Sequence, residues 1–119
     1  MLLTGIDIIE IYRIKDVCQK YPDRFMNKIF TKQEISYCKG RFPQIAARFA
    51  TKEAVMKLLG TGIRGVPWKS IEVYRARGEA PQVILHGNAK IKAEQLGIKE
   101  IALSISHSRN YAVASVVSV

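Results

Sequence analysis

Residues 2–11, LLTGIDIIEI, have the composition of a β-strand and carry a carboxylate in their middle. Side chains alternate between the two faces of a strand, which predicts one face bearing Leu3, Gly5, Asp7, Ile9 and Ile11. That face is apolar apart from Asp7, and an unpaired charge is costly to bury. The fold must therefore give Asp7 a backbone or arginine partner, or use it as a metal ligand or catalytic carboxylate.

Helical patterns occupy most of the next fifty residues. Residues 12–30 read as a helix with a break at Pro22, because proline cannot continue a helix. Thr31 and Glu34 form a capping-box pattern that starts a second helix. The longest predicted helix is 43–59, PQIAARFATKEAVMKLL, with its proline in the first turn. Glycines that can end these last two helices are Gly40 and Gly60.

The second half of the chain is dominated by strand patterns. The predicted elements are two strands within 69–87 joined around 78–81, a helix over 88–97 with Asn88 as N-cap and Gly97 as C-cap, and strands at 99–107 and 111–119. This order predicts an α+β fold in which helices pack on a mainly antiparallel sheet. The length of 119 residues predicts a single domain over residues 1–119.

Charge and composition narrow the classes of protein. Nineteen Lys and Arg against ten Asp and Glu give a net charge of +9, which favours an anionic partner such as nucleic acid, an acidic membrane surface, a phosphorylated small molecule or an acidic protein. Two cysteines are too few for a disulfide framework, and no apolar run approaches the roughly 18 residues of a membrane span. No secretory signal is visible, so we expect a cytoplasmic protein.

Three further patterns have both a structural and a functional interpretation. Phe49, Glu53 and Lys57 lie on one helical stripe, where Glu53 and Lys57 form either an exposed ion pair or part of a site. His107 ends a strand beside serines and an arginine, as a structural residue or in an anion-binding turn. Residues 13–32 hold six basic and two acidic residues with interleaved aromatics, which suits a solvated face or an RNA-binding module.

Five motifs occur in the order and spacing of a known family. They are GIDIIEI at 5–11, RFATKEAVMK at 48–57, GTG at 60–62, WKSIEV at 68–73 and SISHSRNYAVASVV at 104–117. Together they resemble the holo-acyl-carrier-protein synthases, the short bacterial phosphopantetheinyl transferases, over essentially the whole chain. The resemblance implies the 4'-phosphopantetheinyl transferase fold. It also implies transfer of 4'-phosphopantetheine from coenzyme A to a serine of apo-acyl carrier protein, for fatty acid biosynthesis, with release of adenosine 3',5'-bisphosphate.

The same resemblance implies roles for individual residues. Asp7 and Glu53 would bind Mg²⁺, and Lys57 would join them as a catalytic residue that faces the phosphates of coenzyme A. Arg48 and His107 would contact phosphate or nucleotide, with the backbone of Gly60 and Gly62 near the diphosphate. The implied docking residues for the acidic carrier protein are Arg13, Val17, Lys20, Tyr21, Arg24, Phe25 and Lys28.

Assembly and partners also follow from the resemblance. It implies a homotrimer with active sites between subunits, and no nucleic-acid or membrane partner. A basic RNA-binding module remains the competing interpretation, although it gives Asp7, Glu53 and His107 no joint role. The chain departs from the family pattern in one loop. Members of the family often have Gly-Lys-Pro there, whereas this chain has Glu79, Ala80 and Pro81.

Overall fold

The computed structural model describes residues 2–119, and the long central helix packs across one face of its larger sheet. The elements in chain order are β1 (Thr4–Glu10), α1 (Ile11–Lys20), α2 (Pro22–Ile29), α3 (Lys32–Cys38), α4 (Phe42–Leu59), β2 (Ile71–Tyr74), β3 (Gln82–Leu85), α5 (Gly87–Gln95), β4 (Ile101–His107) and β5 (Tyr111–Ser118). A single 3₁₀ turn, Trp68–Ser70, precedes β2. The predicted α+β class with antiparallel strands is confirmed.

The strands form two sheets rather than one. β5 is the centre of a three-stranded antiparallel sheet in the order β1-β5-β4, and β2 pairs with β3 in a separate antiparallel hairpin. Asp7 on β1 lies opposite Ala114 on β5, and His107 on β4 lies opposite Ala112. The first and the last strand therefore pair with each other, with β1 and β4 at opposite edges of the sheet.

Helix α4 packs closely against the sheet because small residues line its buried side. Ala46, Ala50 and Ala54 are fully buried, which lets the sheet come close to the helix backbone. Gly5 is where β1 comes closest, since a Cβ on Gly5 would overlap the carbonyl oxygen of Ala54. The helix ends at Gly60, whose φ of +73° is a left-handed conformation that glycine adopts readily.

Apolar side chains form two clusters on either side of α4. One cluster lies between α4, the sheets and α5, and the other lies between α4 and the three helices α1, α2 and α3. The free thiols of Cys18 and Cys38 belong to the second cluster. Burial raises the pKa of Cys38 to about 11, so this side chain stays a protonated thiol at neutral pH.

A buried ion pair ties α3 to α4. The side chains of Lys52 and Glu34 are both 0% exposed, with 2.9 Å between Lys52 Nζ and Glu34 Oε1. Lys52 Nζ also donates to the carbonyl oxygens of Trp68 and Ile71, while Glu34 Oε2 accepts from the backbone N–H of Val73. Burial lowers the pKa of Lys52, and the negative charge of Glu34 opposes that change. These hydrogen bonds compensate the desolvation of both charges.

The far face of the three-stranded sheet has no helix across it in the described part of the chain. Ile6 and Ile8 point outward from β1 and are 61% and 63% exposed. Val113 and Val117 on β5 share this face and are half-buried.

In residues 2–119, no helix combines the length and the apolar composition needed to cross a bilayer.

Several predicted boundaries are confirmed and four need correction. The break at Pro22, the Thr31–Glu34 capping box and the glycine end at Gly60 are present. The C-cap of α5 is Leu96, one residue before the predicted Gly97, which follows with a φ of +75°.

Ile11 begins α1 instead of extending β1, and its N–H donates to the Asn110 carbonyl at 2.9 Å. Lys39, with φ of +49°, caps α3 one residue before Gly40. His86 caps α5 in place of Asn88, because its extended backbone leads directly into the helix.

Candidate active site

Asp7 and Glu53 line one groove of about 430 Å³ between β1, α1 and α4. Asp7 points from the inward face of β1, and its side chain is 12% exposed. Glu53 faces the same groove from the middle of α4, where Phe49 lies one turn earlier. The close approach at Gly5, two residues before Asp7, keeps the strand and the helix in contact at this point.

The partner of Asp7 is a lysine. Lys57 Nζ lies 3.0 Å from Asp7 Oδ1 and donates to the carbonyl oxygen of Ile6 at 2.9 Å. Among the described side chains, Lys57 forms its ion pair with Asp7 rather than with Glu53 in the same helix. Lys57 therefore pairs across to β1, and the predicted Glu53–Lys57 ion pair along the surface of α4 does not form.

The two carboxylates influence each other. Burial raises the pKa of Glu53 and the nearby charge of Asp7 raises it further, whereas Lys57 and Arg13 act in the opposite direction. This mutual repulsion is relieved when a cation lies between the two groups. Residues 2–119 contain no cluster of three or more His, Cys, Asp or Glu with metal-binding geometry. A pair of carboxylates fits Mg²⁺, which commonly takes one or two protein carboxylates and completes its shell with phosphate and water oxygens.

Arg48 and His107 line a second cavity, of about 460 Å³. Arg48 is 4% exposed, its Cζ lies 4.1 Å from the centre of the Tyr37 ring, and its Nε has no hydrogen-bond partner. Arg75 and Ala80 also line this cavity, so the loop that departs from the family pattern contributes an uncharged residue beside an arginine. The cavity wall contains no Asp or Glu.

The structure does not bring all the predicted site residues together within one chain. Asp7 lies on one edge strand of the sheet and His107 on the other edge strand, and the two residues line different cavities. Gly60 ends α4 one turn after Lys57, and Gly62 is exposed in the following loop. A further cavity of about 550 Å³ lies between β3, α5 and β4, away from both carboxylates.

The predicted docking residues form one surface on α1 and α2. A shallow groove of about 350 Å³ is lined by Val17, Tyr21, Arg24, Phe25 and Lys28. Val17 and Phe25 also line the carboxylate groove, as does Arg13, so the two grooves are continuous. Lys20 differs from the other basic residues here, because it pairs with Asp16 at 3.2 Å along the helix surface.

Two features around the site were missed by reasoning from the sequence. Arg75 reaches the Arg48 cavity only because β4 and the β2–β3 hairpin lie next to each other. Lys52 lies beside Glu53 in sequence but points to the opposite side of α4, into the interior. An odd charged residue in a helix otherwise buried on that side was the only hint of the second feature.

Comparison with known proteins identifies the class to which this fold and site belong. Residues 4–116 match the family model described as the 4'-phosphopantetheinyl transferase superfamily, so the protein is an enzyme of the transferase class. The holo-[acyl-carrier-protein] synthase of Koribacter versatilis is 47% identical over 98% of this chain and 97% of its own length. That of Dehalococcoides mccartyi strain CBDB1 is 48% identical over 99% and 98%.

A solved structure agrees with these sequence relationships. The crystal structure of Helicobacter pylori holo-[acyl-carrier-protein] synthase in complex with coenzyme A superimposes with a TM-score of 0.89 at 32% identity, covering 98% of this chain and 100% of that one. The chain belongs to the holo-[acyl-carrier-protein] synthase family. The resemblance inferred from its motifs is confirmed.

Proposed function

We propose that the protein transfers the 4'-phosphopantetheine group of coenzyme A to a serine of apo-acyl carrier protein. The products are holo-acyl carrier protein and adenosine 3',5'-bisphosphate, the reaction depends on Mg²⁺, and it serves fatty acid biosynthesis in the cytoplasm. The observation that carries this proposal is the shared groove of Asp7 and Glu53, which continues into the basic surface of α1 and α2. The coenzyme A complex of the H. pylori relative supports the donor.

Asp7 and Glu53 are the residues that would hold Mg²⁺. When bound, the ion supplies positive charge that neutralises the diphosphate of the donor and orients it for in-line attack. Lys57 carries the chain's own cation at this point, with its ammonium 3.0 Å from Asp7 Oδ1. Because its side chain is 57% exposed, Lys57 can turn from Asp7 toward an incoming phosphate and stabilise the leaving oxygen.

The acceptor serine must lose its proton during the transfer. Glu53 or a water molecule can take it, since Glu53 lines the groove in which the serine would react. If Glu53 takes the proton, one of its carboxylate oxygens holds it.

We further propose a homotrimer in which each coenzyme A lies between two subunits. Asp7 and Glu53 occupy one edge of the sheet, while Arg48 and His107 occupy a cavity at the other edge. A neighbouring copy that presents its Arg48 cavity to the Asp7 edge would complete one site. The exposed apolar face around Ile6 and Ile8 supports contact between copies, since such patches commonly mark interfaces. Light scattering of the active enzyme tests this, and a fully active monomer would rule it out.

The second substrate, the carrier protein, would dock on the basic surface of α1 and α2. The basic and apolar side chains of α1 and α2 suit an acidic helix of the carrier protein, and Val17 and Phe25 connect that surface to the carboxylates. A carrier protein seated there brings its serine to the groove of Asp7 and Glu53. The charge and the position of this surface therefore favour the same arrangement.

Mass spectrometry of the carrier protein tests the reaction itself. Apo-acyl carrier protein incubated with this enzyme, coenzyme A and Mg²⁺ should gain the mass of one phosphopantetheine. A carrier protein whose acceptor serine is replaced by alanine is the control and should gain nothing. Unchanged mass of the serine form under these conditions would contradict the proposal. Stabilisation by RNA at matched salt, without stabilisation by coenzyme A and Mg²⁺, would instead support an RNA-binding module.

A further inference from the structure

Four ionisable side chains are linked at the start of α3, and none of them lines either of the two cavities that hold the predicted site residues. Glu34 on α3 pairs with Lys52 on α4, with 2.9 Å between Glu34 Oε1 and Lys52 Nζ. Glu72 on β2 pairs with His86, the residue between β3 and α5, with 3.0 Å between Glu72 Oε1 and His86 Nε2. Thr31, the N-cap of α3, joins the two pairs, because its N–H donates to Glu34 Oε1 and its hydroxyl donates to Glu72 Oε2 at 2.6 Å. The cluster therefore ties α3 both to the central helix and to the β2–β3 hairpin.

The charges of this cluster balance only when His86 is protonated. The opposite charges of Glu34 and Lys52, whose side chains are both fully buried, cancel each other. Glu72 adds a second carboxylate, and its side chain is only 11% exposed. Burial by itself would raise the pKa of Glu72, but the hydrogen bonds from Thr31 and His86 lower it below its ordinary value. Glu72 is therefore ionised at neutral pH, and the cluster keeps one negative charge unless His86 carries a proton.

Other charged side chains near His86 do not supply this balance. Lys69 in the 3₁₀ turn and Lys90 in the first turn of α5 are exposed, and within residues 2–119 neither forms an ion pair with Glu72. His86 is held at the start of α5, where its N–H donates to the Ser70 carbonyl oxygen at 2.8 Å, and its side chain is 52% exposed to solvent. A histidine side chain commonly changes its charge between about pH 5 and 8, and a charge-assisted hydrogen bond is about twice as strong as a neutral one. The contact between His86 and Glu72 is therefore sensitive to pH.

The other end of α3 supports an arginine of the predicted site. Tyr37 lies in the last turn of α3, and the centre of its ring is 4.1 Å from Arg48 Cζ. Arg41 holds this end of the helix, because its Nη2 donates to the Tyr37 carbonyl oxygen at 2.7 Å. A helix of seven residues is only about 10 Å long, so a displacement at Thr31 reaches Tyr37 within a single short, stiff element. The position of Arg48 thus depends on how the start of α3 is held.

We propose that His86 is a positioning residue whose protonated ring, acting through Glu72 and α3, keeps the protein in the arrangement that binds the donor nucleotide. The protonated ring holds Glu72 against the hydroxyl of Thr31, and the fixed start of α3 keeps Tyr37 over Arg48. When His86 loses its proton, Glu72 keeps its charge but has a weaker partner, and the start of α3 shifts. The affinity for the donor nucleotide then falls roughly 5-fold, the effect of weakening one charge-assisted hydrogen bond to a neutral one. This inference rests on the proposed transfer reaction, because that reaction assigns the donor to Arg48.

Calorimetry with adenosine 3',5'-bisphosphate between about pH 5.5 and 8.5 tests this link. His86→Gln keeps a hydrogen-bond donor for Glu72 but does not titrate. His107 and the phosphates of the ligand titrate in both proteins, so the measured quantity is the difference between the two pH profiles. The affinity of the wild type should fall roughly 5-fold more than that of His86→Gln across this range.

Two further variants make the comparison specific. Glu72→Gln removes the charge that the protonated ring balances, so it should reproduce the profile of His86→Gln. Lys90→Gln, one turn into α5, is the matched control and should keep the wild-type profile. Identical profiles for the wild type and His86→Gln would overturn the proposal.

NMR and kinetics separate this link from a purely structural role and from the reaction itself. The amide signals of Thr31 and Glu34 should shift together with the ring signals of His86 as the pH changes, and should lose that component in His86→Gln. In steady-state kinetics the difference between the two proteins should appear in KM for coenzyme A and not in kcat. A lower melting temperature of His86→Gln, with unchanged pH profiles and amide shifts, would show that His86 is only structural. If the wild type transfers nothing at any pH, the proposed reaction fails, and the amide shifts and nucleotide affinities still decide the role of His86.

Discussion

Lys57 on α4 and Asp7 on β1 form an ion pair, with 3.0 Å between Nζ and Oδ1. The pair joins the first strand to the central helix across fifty residues of sequence. The ammonium of Lys57 thus places a positive charge beside the largely buried carboxylate of Asp7, even without a bound ligand. The same ammonium is one turn from Glu53, so a single lysine affects both carboxylates of the groove.

Removing either carboxylate should stop catalysis without unfolding the protein. Asp7→Asn and Glu53→Gln keep size and remove charge, and each should lower the transfer rate by about 100-fold or more, since even indirect partners of metal sites cost 10- to 100-fold. The rate is measured by mass spectrometry of the carrier protein. Glu100→Gln, at an exposed position just before β4, is the control and should keep its activity. Full activity of Asp7→Asn at ordinary Mg²⁺ concentration would contradict the two-carboxylate assignment.

The raised pKa of Glu53 predicts a pH dependence of stability in the metal-free enzyme. The folded-state pKa lies above the ordinary value of 4.5, so the contribution of this group is fully present below pH 4.5 and is lost as the pH rises through the folded-state pKa. Lys57→Ala removes a charge that lowers this pKa, so the window should extend to higher pH. Thermal melts across this range, with Glu53→Gln as the variant lacking the group, measure the effect.

A direct titration can contradict that prediction. Carbon-detected NMR of the Glu53 carboxyl should give a higher pKa in Lys57→Ala than in the wild type, because the positive charge of Lys57 is absent. An unchanged titration midpoint would mean that the ammonium does not act on Glu53 in solution.

The sequence predicted the helices and strands well because their signals are local. The capping box at Thr31 and the glycine at the end of α4 act within a few residues, and both were found in place. The Asp7–Lys57 pair joins residues far apart in sequence, and so no local pattern indicates it. The division into two sheets, and the entry of Arg75 into the Arg48 cavity, depend on the packing of the hairpin beside β4 for the same reason.

The basic surface of α1 and α2 should control the affinity for the carrier protein. Arg24→Glu adds like-charge repulsion and should raise KM for the carrier about 10-fold at low salt, with a smaller effect at higher salt. KM for coenzyme A should change little. Arg13→Glu should act on the carrier in the same direction. Arg13 also lines the carboxylate groove, where its positive charge lowers the pKa of Glu53, so reversing that charge should lower kcat as well.

The control for this surface is Lys90→Glu, which makes the same charge change on α5. Steady-state kinetics with each substrate varied at two salt concentrations gives the comparison. Equal effects of Arg24→Glu and Lys90→Glu on carrier KM would mean that only net charge matters and that docking occurs elsewhere.

Replacing only one member of the buried Lys52–Glu34 pair should destabilise the protein strongly, whereas replacing both should cost much less stability. Lys52→Met leaves the charge of Glu34 buried without its partner and should lower the free energy of unfolding by about 3–5 kcal/mol. Adding Glu34→Gln removes that charge and keeps an acceptor for the Thr31 N–H, so the double variant should recover much of the loss. Urea unfolding of the three proteins gives the values. A double variant less stable than Lys52→Met alone would contradict this account.

Glu34 accepts the backbone N–H of Thr31 at the start of α3 and also faces the ammonium of Lys52 on α4. A helix of seven residues is too short to persist in water by itself. Local opening of α3 would nevertheless strip the counter-ion from Lys52 in the interior. The amide protons of α3 should therefore exchange with solvent as slowly as those in the middle of α4, since both segments open only when the whole protein does.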